Sequence, residues 1–289
     1  MKRCLSCSFD FDVSNWTCPN CGHQPSRIDG VYAFAPALAV MNDGLDPEAH
    51  HNLHVVQEKS FWFRVRNRIL TDMIYRYLAH RSAVLEIGCG TGFVLSAIAK
   101  ALPQAHITGS EIYANGLHYA SERLHGRAEL MQMDATSIPF TDEFDLIAAC
   151  DVLEHIEDDV AVLSQIYRAL RPGGAVMLTV PQHPFLWSGS DDAAHHKRRY
   201  RRWELAAKLR HAGFKIVRST SFVTSLLPLL MLQRLTQGKK KDYDASAEFA
   251  MPAWLDRLLE AAMEVDRWMI GLGLSLPAGG SRLIVAVRP

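Results

Sequence analysis

Short apolar runs alternate with longer stretches of helical spacing through most of the chain. Apolar positions cluster at 84–87 and in "HITGSE", "AELMQMD", "FDLIAAC" and "AVMLTV", and helical spacing occurs at about 91–102, 113–124 and 158–170. After Gly213, "FKIVRSTSF" and "SRLIVAVR" have the pattern of two further strands. Because strands and helices alternate, the pattern predicts an α/β fold with a doubly wound, seven-stranded sheet and helices on both faces.

A further helix is predicted just before the first strand. In "EKSFWFRVRNRILTDMIYRYL" the apolar residues follow helical spacing, at Phe61, Val65, Ile69, Met73 and Tyr77. Arginines occupy positions 64, 66 and 68 of the same segment. The simplest interpretation is an amphipathic cap helix with its arginines in solvent.

Residues 223–279 are predicted to form a helical insertion before the last strand. It begins with the apolar "FVTSLLPLLMLQRLTQGKKK", which ends in Lys239, Lys240 and Lys241, and a second helical pattern follows. One face of that second helix carries Trp254, Leu258, Ala262, Val265, Met269 and Leu272. Two interpretations stay open: a lid that packs on the sheet and shapes an apolar substrate pocket, or a surface at 223–241 that docks on a membrane or a lipid-linked substrate.

Composition narrows the classes of partner and the compartment. The 289 residues contain 31 Lys plus Arg and 31 Asp plus Glu, so no global positive field favours nucleic acid. The N-terminus lacks the apolar segment of a secretory signal, and no apolar run reaches the ~18 residues of a membrane span. We therefore expect a cytoplasmic protein with reduced cysteines, and peripheral association with the membrane stays open as an alternative.

Four of the six cysteines form two Cys-x-x-Cys knuckles in "CLSCSFDFDVSNWTCPNC". Cys4, Cys7, Cys18 and Cys21 would give the tetrahedral sulfur shell of a structural zinc, and so small a segment has no core of its own. The alternative is a pair of redox dithiols. With the Ala- and Pro-rich linker that follows, the predicted organisation is a zinc ribbon at 1–35, a linker and cap helix at 36–80, and the main domain at 81–289.

The loop in "VLEIGCGTGFVL" follows the first strand of the sheet and opens a helix. Its glycines, Gly88, Gly90 and Gly92, are spaced G-x-G-x-G and not G-x-G-x-x-G as in dinucleotide-binding proteins. Glu86 lies just before the loop, where a carboxylate suits an amino group or a sulfonium better than a pyrophosphate. The sequence of the loop therefore predicts a ligand that carries a positive charge in the part that binds near Glu86.

Three more acids stand at the ends of later strands. Glu111 follows the first glycine by 23 residues and is placed to accept ribose hydroxyls, and Asp134 is placed to accept from an adenine amine. Asp151 follows the fourth strand. Ribose, adenine, positive charge and few phosphates together describe S-adenosylmethionine.

The motifs "VLEIGCGTG", "GSEIY", "MDAT", "FDLIAACDVLEHIED" and "LRPGGAVMLTVP" resemble, in order and spacing, those of class I S-adenosylmethionine-dependent methyltransferases, which have a Rossmann-like fold. The resemblance covers roughly residues 60–222. It implies cofactor contacts at Glu86, Gly88, Cys89, Gly90, Gly92, Glu111, Ile112, Asp134, Ala135, Asp151, Val152 and Leu153. "FWFRVRNR" resembles the same group and implies that Arg64 or Arg68 meets the cofactor's carboxylate.

Two histidines lie nearest to the predicted methyl-transfer site, His155 in "DVLEHIED" and His183 in "VPQHPFLW". His155 resembles the Glu-His pair of ubiquinone-pathway O-methyltransferases, which implies a base or a substrate-orienting residue. A structural histidine at the start of a helix is the alternative. In some of those relatives this region holds a divalent metal, and Asp151, Glu154 and His155 could do so here.

The segment after the fifth strand contains a run of basic and aromatic residues, "HHKRRYRR". Its candidates for binding an anionic substrate are His195, His196, Arg198, Arg199 and Tyr200. The segment resembles a stretch in a broad group of bacterial methyltransferases. A solvated charged face is the alternative interpretation.

Three functions are compatible with the sequence. The first is a methyltransferase that acts on a small-molecule or lipid-linked acceptor, most simply at oxygen. The second is an RNA base methyltransferase, because a zinc ribbon before such a domain resembles the 23S rRNA guanine methyltransferases; the zero net charge argues against nucleic acid. The third is a non-catalytic regulatory module that binds the cofactor, against which the four strand-end acids argue.

Overall fold

The computed structural model describes residues 1–39, 47–237 and 251–289, without the side chains of 47–49 and 235–237. The strands are β1 (Lys2–Arg3), β2 (Asp10–Phe11), β3 (Ser26–Ile28), β4 (Val31–Ala33), β5 (Ala83–Ile87), β6 (His106–Glu111), β7 (Glu129–Gln132), β8 (Phe144–Cys150), β9 (Leu170–Pro181), β10 (Lys215–Phe222) and β11 (Ser281–Val287). The helices are α1 (Pro47–Val56), α2 (Phe61–Met73), α3 (Phe93–Ala101), α4 (Ala114–Leu124), α5 (Asp159–Ala169), α6 (Gly189–Ala193), α7 (Glu204–His211), α8 (Leu227–Gln237) and α9 (Ala253–Gly271).

The strands form a mainly parallel sheet in the order β10-β11-β9-β8-β5-β6-β7-β4-β3. Strands β4 to β9 pair in parallel, whereas β11 runs antiparallel between β9 and β10. The predicted Rossmann-like α/β fold is therefore confirmed. The described sheet has nine strands and not the predicted seven, because the N-terminal hairpin β3–β4 extends it beyond β7.

Alternation along the central strands divides the core between the two faces. Val84 and Leu146 belong to the apolar cluster that includes α2 and α3, while their neighbours Leu85 and Ile147 belong to the cluster that includes α5 and α7. All four side chains are fully buried. Because both faces are covered, the carboxyl ends of β5, β6, β7, β8 and β9 meet at one open edge, where a doubly wound sheet binds its ligand.

The N-terminal segment packs on the main domain. Thr141 donates its backbone N–H to the Met1 carbonyl and Arg3 donates to the Pro139 carbonyl, both at 2.9 Å. The Trp16 ring lies 5.5 Å from that of Phe140 and belongs to the same apolar cluster as β8. The predicted boundary at residue 35 therefore does not separate two independent cores.

The helical insertion packs differently from the expectation. Helix α9 contacts α2, with Met263 and Ile270 buried. The face predicted to pack on the sheet is instead exposed at four positions, because α9 turns its other side inward: Trp254 is 68% exposed, Leu258 59%, Val265 49% and Leu272 59%. Lys239, Lys240 and Lys241 lie outside the described residues.

The structure also bears on membrane crossing. Within the three described ranges, no helix combines the length and apolar character that a membrane span requires. A peripheral contact at 223–241 stays a prediction.

Candidate active site

The glycine loop turns the chain from β5 into α3. Gly88, Gly90 and Gly92 have φ of +67°, +50° and +76°, a region that L side chains rarely adopt. A Cβ at Gly88 would lie 2.5 Å from Val152 Cγ2, whereas a Cβ at Gly90 would meet no atom within 4 Å. The loop is thus tightly packed at its start and open in its middle, where a ligand can approach the backbone.

Residues of α4 and of the segment that precedes β5 hold this loop. The Thr91 hydroxyl donates to Gln57 Oε1 at 2.5 Å, and Arg123 Nε donates to the Thr91 carbonyl at 3.1 Å. His50 of α1 is 2% exposed and lies near Glu111. Burial lowers the pKa of His50, and Glu111 partly opposes that shift.

Glu111 closes β6 and connects the glycine loop to the next strand. Its carboxylate accepts from the backbone N–H groups of Gly90 at 2.9 Å, Ile112 at 2.7 Å and Tyr113 at 3.3 Å. Cys89, in the loop itself, is buried and donates its N–H to the Ser110 carbonyl at 2.9 Å. The predicted residues of this part of the site are therefore brought together.

Glu86 is the acid nearest to the start of the loop, and it is 1% exposed. Its Oε2 has no hydrogen-bond partner among the described residues. Burial raises the pKa of Glu86 to about 8, although the nearby Arg66 guanidinium opposes the shift. A cationic ligand bound beside this buried carboxyl would favour its ionised form and lower its pKa.

Asp134 and Asp151 follow β7 and β8. Asp134 accepts from the Thr136 N–H at 2.8 Å and from the Thr136 hydroxyl at 2.7 Å, and the neighbouring Ala135 is buried. Asp151 has φ +58° and accepts from the Thr179 hydroxyl at 3.1 Å. Leu153 is fully buried beneath this loop.

The arginines of α2 separate into two directions. Arg64 Nη2 lies 2.5 Å from both Asp256 and Glu260 of α9, and Arg68 pairs with Glu260 and Glu264. Arg66 is 6% exposed and pairs with Asp151 at the strand ends. These contacts do not match the expectation for Arg64 and Arg68: the arginine of α2 that lies at the strand ends is Arg66, because successive helical positions point in different directions.

Glu154 and His155, which follow β8, form a compact polar group with Asp191 and His196, which follow β9. Glu154 is fully buried, and neither carboxylate oxygen has a partner among the described residues. The His155 and His196 ring centroids are 4.7 Å apart. His196 Nδ1 lies 2.8 Å from Asp191 Oδ1, and Asp191 is fully buried.

The charges of this group have clear physical causes. Burial, with His196 nearby, lowers the pKa of His155 to about 4, so its imidazole is neutral at pH 7. Burial favours protonation of Asp191, but hydrogen bonds from His196 and Arg199 prevail and lower its pKa to about 2. Because Asp191 is a carboxylate, His196 Nδ1 carries the proton of their hydrogen bond.

The predicted residues of the basic run "HHKRRYRR" have two kinds of position: some contact the start of α5, and one contacts Asp191. Tyr200 is fully buried and donates to Asp159 at 2.6 Å, while Arg198 pairs with Asp159 and donates to the Glu157 carbonyl. These two residues stabilise the start of α5, and Tyr200 also lies near Glu154. Arg199 reaches the group around His155, since its Nε donates to Asp191 at 2.7 Å.

The remaining predicted histidines lie at the rim. His195 is exposed and has φ +54°. His183 is half-buried just beyond β9, and its Nε2 has no partner among the described residues. Burial, with Arg282 and Arg199 nearby, lowers the pKa of His183.

Comparison with known proteins assigns the chain to a family. Residues 85–178 match the family described as "Methyltransferase domain". The chain is 30% identical to a ubiquinone biosynthesis O-methyltransferase of Xylella fastidiosa over 171 residues, which are 52% of this chain and 68% of that protein. The chain belongs to the S-adenosylmethionine-dependent methyltransferases.

Other similarities to this methyltransferase are more partial. A probable S-adenosylmethionine-dependent methyltransferase of Mycolicibacterium smegmatis is 28% identical over 165 residues, 55% of this chain and 61% of that protein, which is less than two thirds of its length. The structure of Haemonchus contortus phosphoethanolamine N-methyltransferase 2 with S-adenosyl-L-methionine superposes with a TM-score of 0.57 at 21% identity, covering 90% of this chain and 61% of that one. The structural match supports the fold.

The strand-end residues of the methyltransferase fit its cofactor. Glu86 Oε2 is a buried acceptor without a partner, and the space around Gly90 is open. Arg66, whose Nε also lacks a partner among the described residues, lies beside them. A ligand with both an ammonium and a carboxylate would match the buried Glu86 carboxyl and the Arg66 guanidinium.

Two groups of side chains are compatible with metal ions. The ligand atoms of Cys4, Cys7, Cys18 and Cys21 lie within 4.8 Å of one another, with two sulfur pairs at 3.6 Å. Zinc–sulfur bonds of about 2.3 Å separate tetrahedral sulfurs by roughly 3.8 Å, so the cysteine cluster fits zinc. Glu154, His155 and His196 also meet within 4.8 Å, whereas the predicted Asp151 is paired with Arg66.

Sequence reasoning missed several residues of the site. In the sequence, Asp191 lies close to His195 and His196, and Arg66 lies between Arg64 and Arg68. Only the tertiary structure shows that Asp191 contacts His196 and that Arg66 contacts Asp151. His50 and Gln57 belong to α1, a segment in which we recognised no motif. The buried state of Glu86 could have been suspected from its apolar neighbours Leu85 and Ile87.

Proposed function

We propose that this methyltransferase transfers the methyl group of S-adenosylmethionine to a hydroxyl of a small-molecule acceptor. The observation that carries the proposal is the neutral, buried His155, held beside His196 and Asp191 at the carboxyl edge of the sheet. An imidazole there can take the hydroxyl proton that oxygen methylation releases. Ubiquinone biosynthesis O-methyltransferases are among the relatives, which supports a small oxygen acceptor.

The positions of the residues indicate which of them bind the cofactor and which removes the proton. Bound S-adenosylmethionine supplies an activated methyl group, so the chain must bind the cofactor, orient the acceptor and remove a proton. Glu86, Arg66, Glu111 and Asp134 would hold the cofactor. His155 would accept the proton at a ring nitrogen, because its imidazole is neutral at pH 7.

Asp191 and His196 act as positioning residues in this proposal. The Asp191 carboxylate fixes the His196 ring at 2.8 Å, and His196 packs edge-on against His155. Such a packed pair restricts His155 to one orientation. The same cluster, with Glu154, could alternatively hold a divalent cation, and added Mg²⁺ or a chelator tests that alternative through activity.

An acceptor screen tests the proposal. Purified protein is incubated with methyl-labelled cofactor and fractionated cell extract, and incorporation into small-molecule, lipid and RNA fractions is measured. We expect label in a small-molecule fraction, in a base-stable methyl ether. His155→Ala is the matched negative control; label in RNA alone, or label unaffected by His155→Ala, would contradict the proposal.

We also propose that Cys4, Cys7, Cys18 and Cys21 hold one structural zinc. The mutual distances of the four sulfurs support it. Elemental analysis of protein purified without chelator should find about one zinc per chain. Cys18→Ser should lose that zinc, and Cys150→Ser, which changes a buried cysteine outside the cluster, should retain it.

A further inference from the structure

Arg282 at the start of β11 is a buried cation without a carboxylate partner among the described residues. It is 3% exposed. Nη1 donates to the Ser221 hydroxyl at 3.1 Å and Nη2 to the Ser219 hydroxyl at 2.8 Å, and Nε has no partner. Its other neighbour is the Trp203 ring, 5.7 Å away, and because none of these partners carries a negative charge, burial of the guanidinium has an unfavourable free energy.

The other buried arginines show how this chain normally compensates such a charge. Arg66, 6% exposed, pairs with Asp151. Arg218, 9% exposed, donates to the carbonyls of Gly273 and Leu274 and to the Ser275 hydroxyl. Arg282 has neither kind of compensation, so its position is not explained by the fold.

A second unpartnered donor lies beside Arg282. Gln182, just after β9, is fully buried; its Oε1 accepts from the Ser221 hydroxyl at 2.7 Å, and its Nε2 has no partner among the described residues. Ser221 therefore contacts both Gln182 and Arg282. Two buried N–H donors joined through one hydroxyl form an arrangement that would satisfy an oxyanion.

These donors lie at the same edge of the sheet as the catalytic group. Arg282 is opposite Val180 in the β9–β11 ladder, one position from Pro181 at the carboxyl end of β9. Arg199 connects the two places, because its Nη1 donates to the Gln182 carbonyl at 3.4 Å and its Nε to Asp191 at 2.7 Å.

The surroundings favour negative charge on the ligand. Arg202 adds a second cation, and the Trp203 ring lies 4.4 Å from the Arg202 guanidinium and 5.7 Å from that of Arg282. Trp203 is 59% exposed, so its ring lies at the protein surface close to buried Arg282. Burial, with Arg202 nearby, lowers the pKa of Arg282 to about 10, which leaves it charged at neutral pH.

We infer that Arg282 and Gln182 bind an oxyanion, a phosphate or carboxylate, of the methyl acceptor. The inference rests on the proposed function, because it names the acceptor's chemical class. The anionic group would sit beyond the carboxyl end of β9 and the start of β11, with Trp203 at the entrance, and would direct the reacting hydroxyl toward His155. Arg282 is thus a specificity-determining residue.

Thermal unfolding with simple anions tests this inference. Inorganic phosphate and acetate are added separately to the full chain, at constant ionic strength set with NaCl. We expect one of them to raise the Tm of the wild type by about 2 to 4 °C. The anion that acts distinguishes a phosphate-bearing from a carboxylate-bearing acceptor.

Variants show whether the response belongs to Arg282. Arg282→Met should abolish it and, without anions, should keep or raise the Tm, because an uncompensated charge is removed. Arg282→Lys should retain part of the response. Arg288→Met is the matched control, since Arg288 follows the other end of β11 and already pairs with Asp142; it should respond like the wild type.

Three results would overturn the inference. The first is that neither anion raises the Tm of the wild type, and the second is that the Tm of Arg282→Met rises equally. The third is a large loss of Tm in both Arg282→Met and Arg282→Lys, because that would indicate a purely structural arginine. Calorimetric binding of S-adenosylhomocysteine, measured on the same preparations, separates this failure from that of the proposed function. Intact cofactor binding without the anion response rejects the oxyanion site alone, and absent cofactor binding rejects the proposed function.

Discussion

At the scale of single residues, two buried carboxyl groups at the carboxyl edge of the sheet are available to bind a ligand. Glu86 and Glu154 each keep carboxylate oxygens without hydrogen-bond partners among the described residues, and burial raises the pKa of both. Leaving such atoms unsatisfied is costly, so a fold retains them where a ligand completes the site. We expect the cofactor's ammonium to complete Glu86.

This expectation predicts a pH dependence of cofactor affinity. The free protein holds Glu86 protonated below its pKa of about 8, and a bound ammonium favours the carboxylate, so binding releases a proton. Affinity for S-adenosylmethionine should increase with pH between about pH 6 and pH 7.5, by up to about tenfold per unit. Calorimetry in buffers of different ionisation enthalpy measures the released proton. Glu86→Gln should bind more weakly and lose this dependence; an unchanged pH profile in that variant would exclude Glu86 as its source.

The proposed base gives a second prediction at this scale. His155→Ala should lower kcat by about 10² to 10⁴ without changing cofactor affinity, because only proton transfer is removed. His106→Ala, which changes an exposed histidine at the start of β6 on the opposite edge of the sheet, is the control and should leave kcat unchanged. With a pKa of about 4, His155 becomes protonated only in acid, so the acid limb of the kcat profile should lie below about pH 5. A near-normal kcat in His155→Ala, with the acceptor identified by labelling, would refute the assignment.

At the scale of elements, helix α2 separates two tasks. Arg64 and Arg68 form ion pairs with the acidic residues of α9, which are Asp256, Glu260 and Glu264. Arg66 instead points inward, pairs with Asp151, and lies 4.6 Å from the Trp62 ring. The helix therefore links the insertion to the cofactor side of the sheet.

Paired substitutions in α2 should separate these tasks. Arg66→Met should weaken S-adenosylhomocysteine binding by at least about tenfold, the scale of a lost charged hydrogen bond. Arg64→Met should leave that affinity unchanged and lower the free energy of unfolding by about 1 kcal/mol, as expected for a partly exposed ion-pair network. Calorimetry and urea unfolding measure the two effects. Weaker cofactor binding in Arg64→Met than in Arg66→Met would restore the original expectation for Arg64.

At the scale of the whole molecule, the N-terminal segment and the main domain share one sheet. Strand β4 pairs with β7, and Gln132 at the end of β7 exchanges two side-chain hydrogen bonds with the backbone of Ala35, at 3.0 and 2.8 Å. Farther along, the Ala114 N–H at the start of α4 donates to the Ala39 carbonyl. The segment thus passes beside Glu111 and Asp134, where the adenosine of the cofactor is expected.

Loss of the proposed zinc should consequently affect the whole protein. Chelation should lower the Tm of a single transition and weaken S-adenosylhomocysteine binding, since both depend on the β4–β7 pairing. Scanning calorimetry and titration calorimetry measure the two quantities. Cys18→Ser should show the same losses and no further response to chelator. A separate low-temperature transition with unchanged cofactor affinity would instead show that residues 1–35 unfold independently.

The sequence by itself determined the alternating strands and helices, the glycine loop and the strand-end acids, because these depend on local periodicity and on residues adjacent to their own strands. Only the tertiary structure decided which arginine of α2 faces the cofactor side, that Tyr200 is buried, and that the N-terminal hairpin extends the sheet. It also brought together Asp191 with His196, and Arg282 with Gln182, from separate segments of the chain. Such pairings depend on the direction of each helix face and on strand order, and one sequence does not encode these in any local pattern.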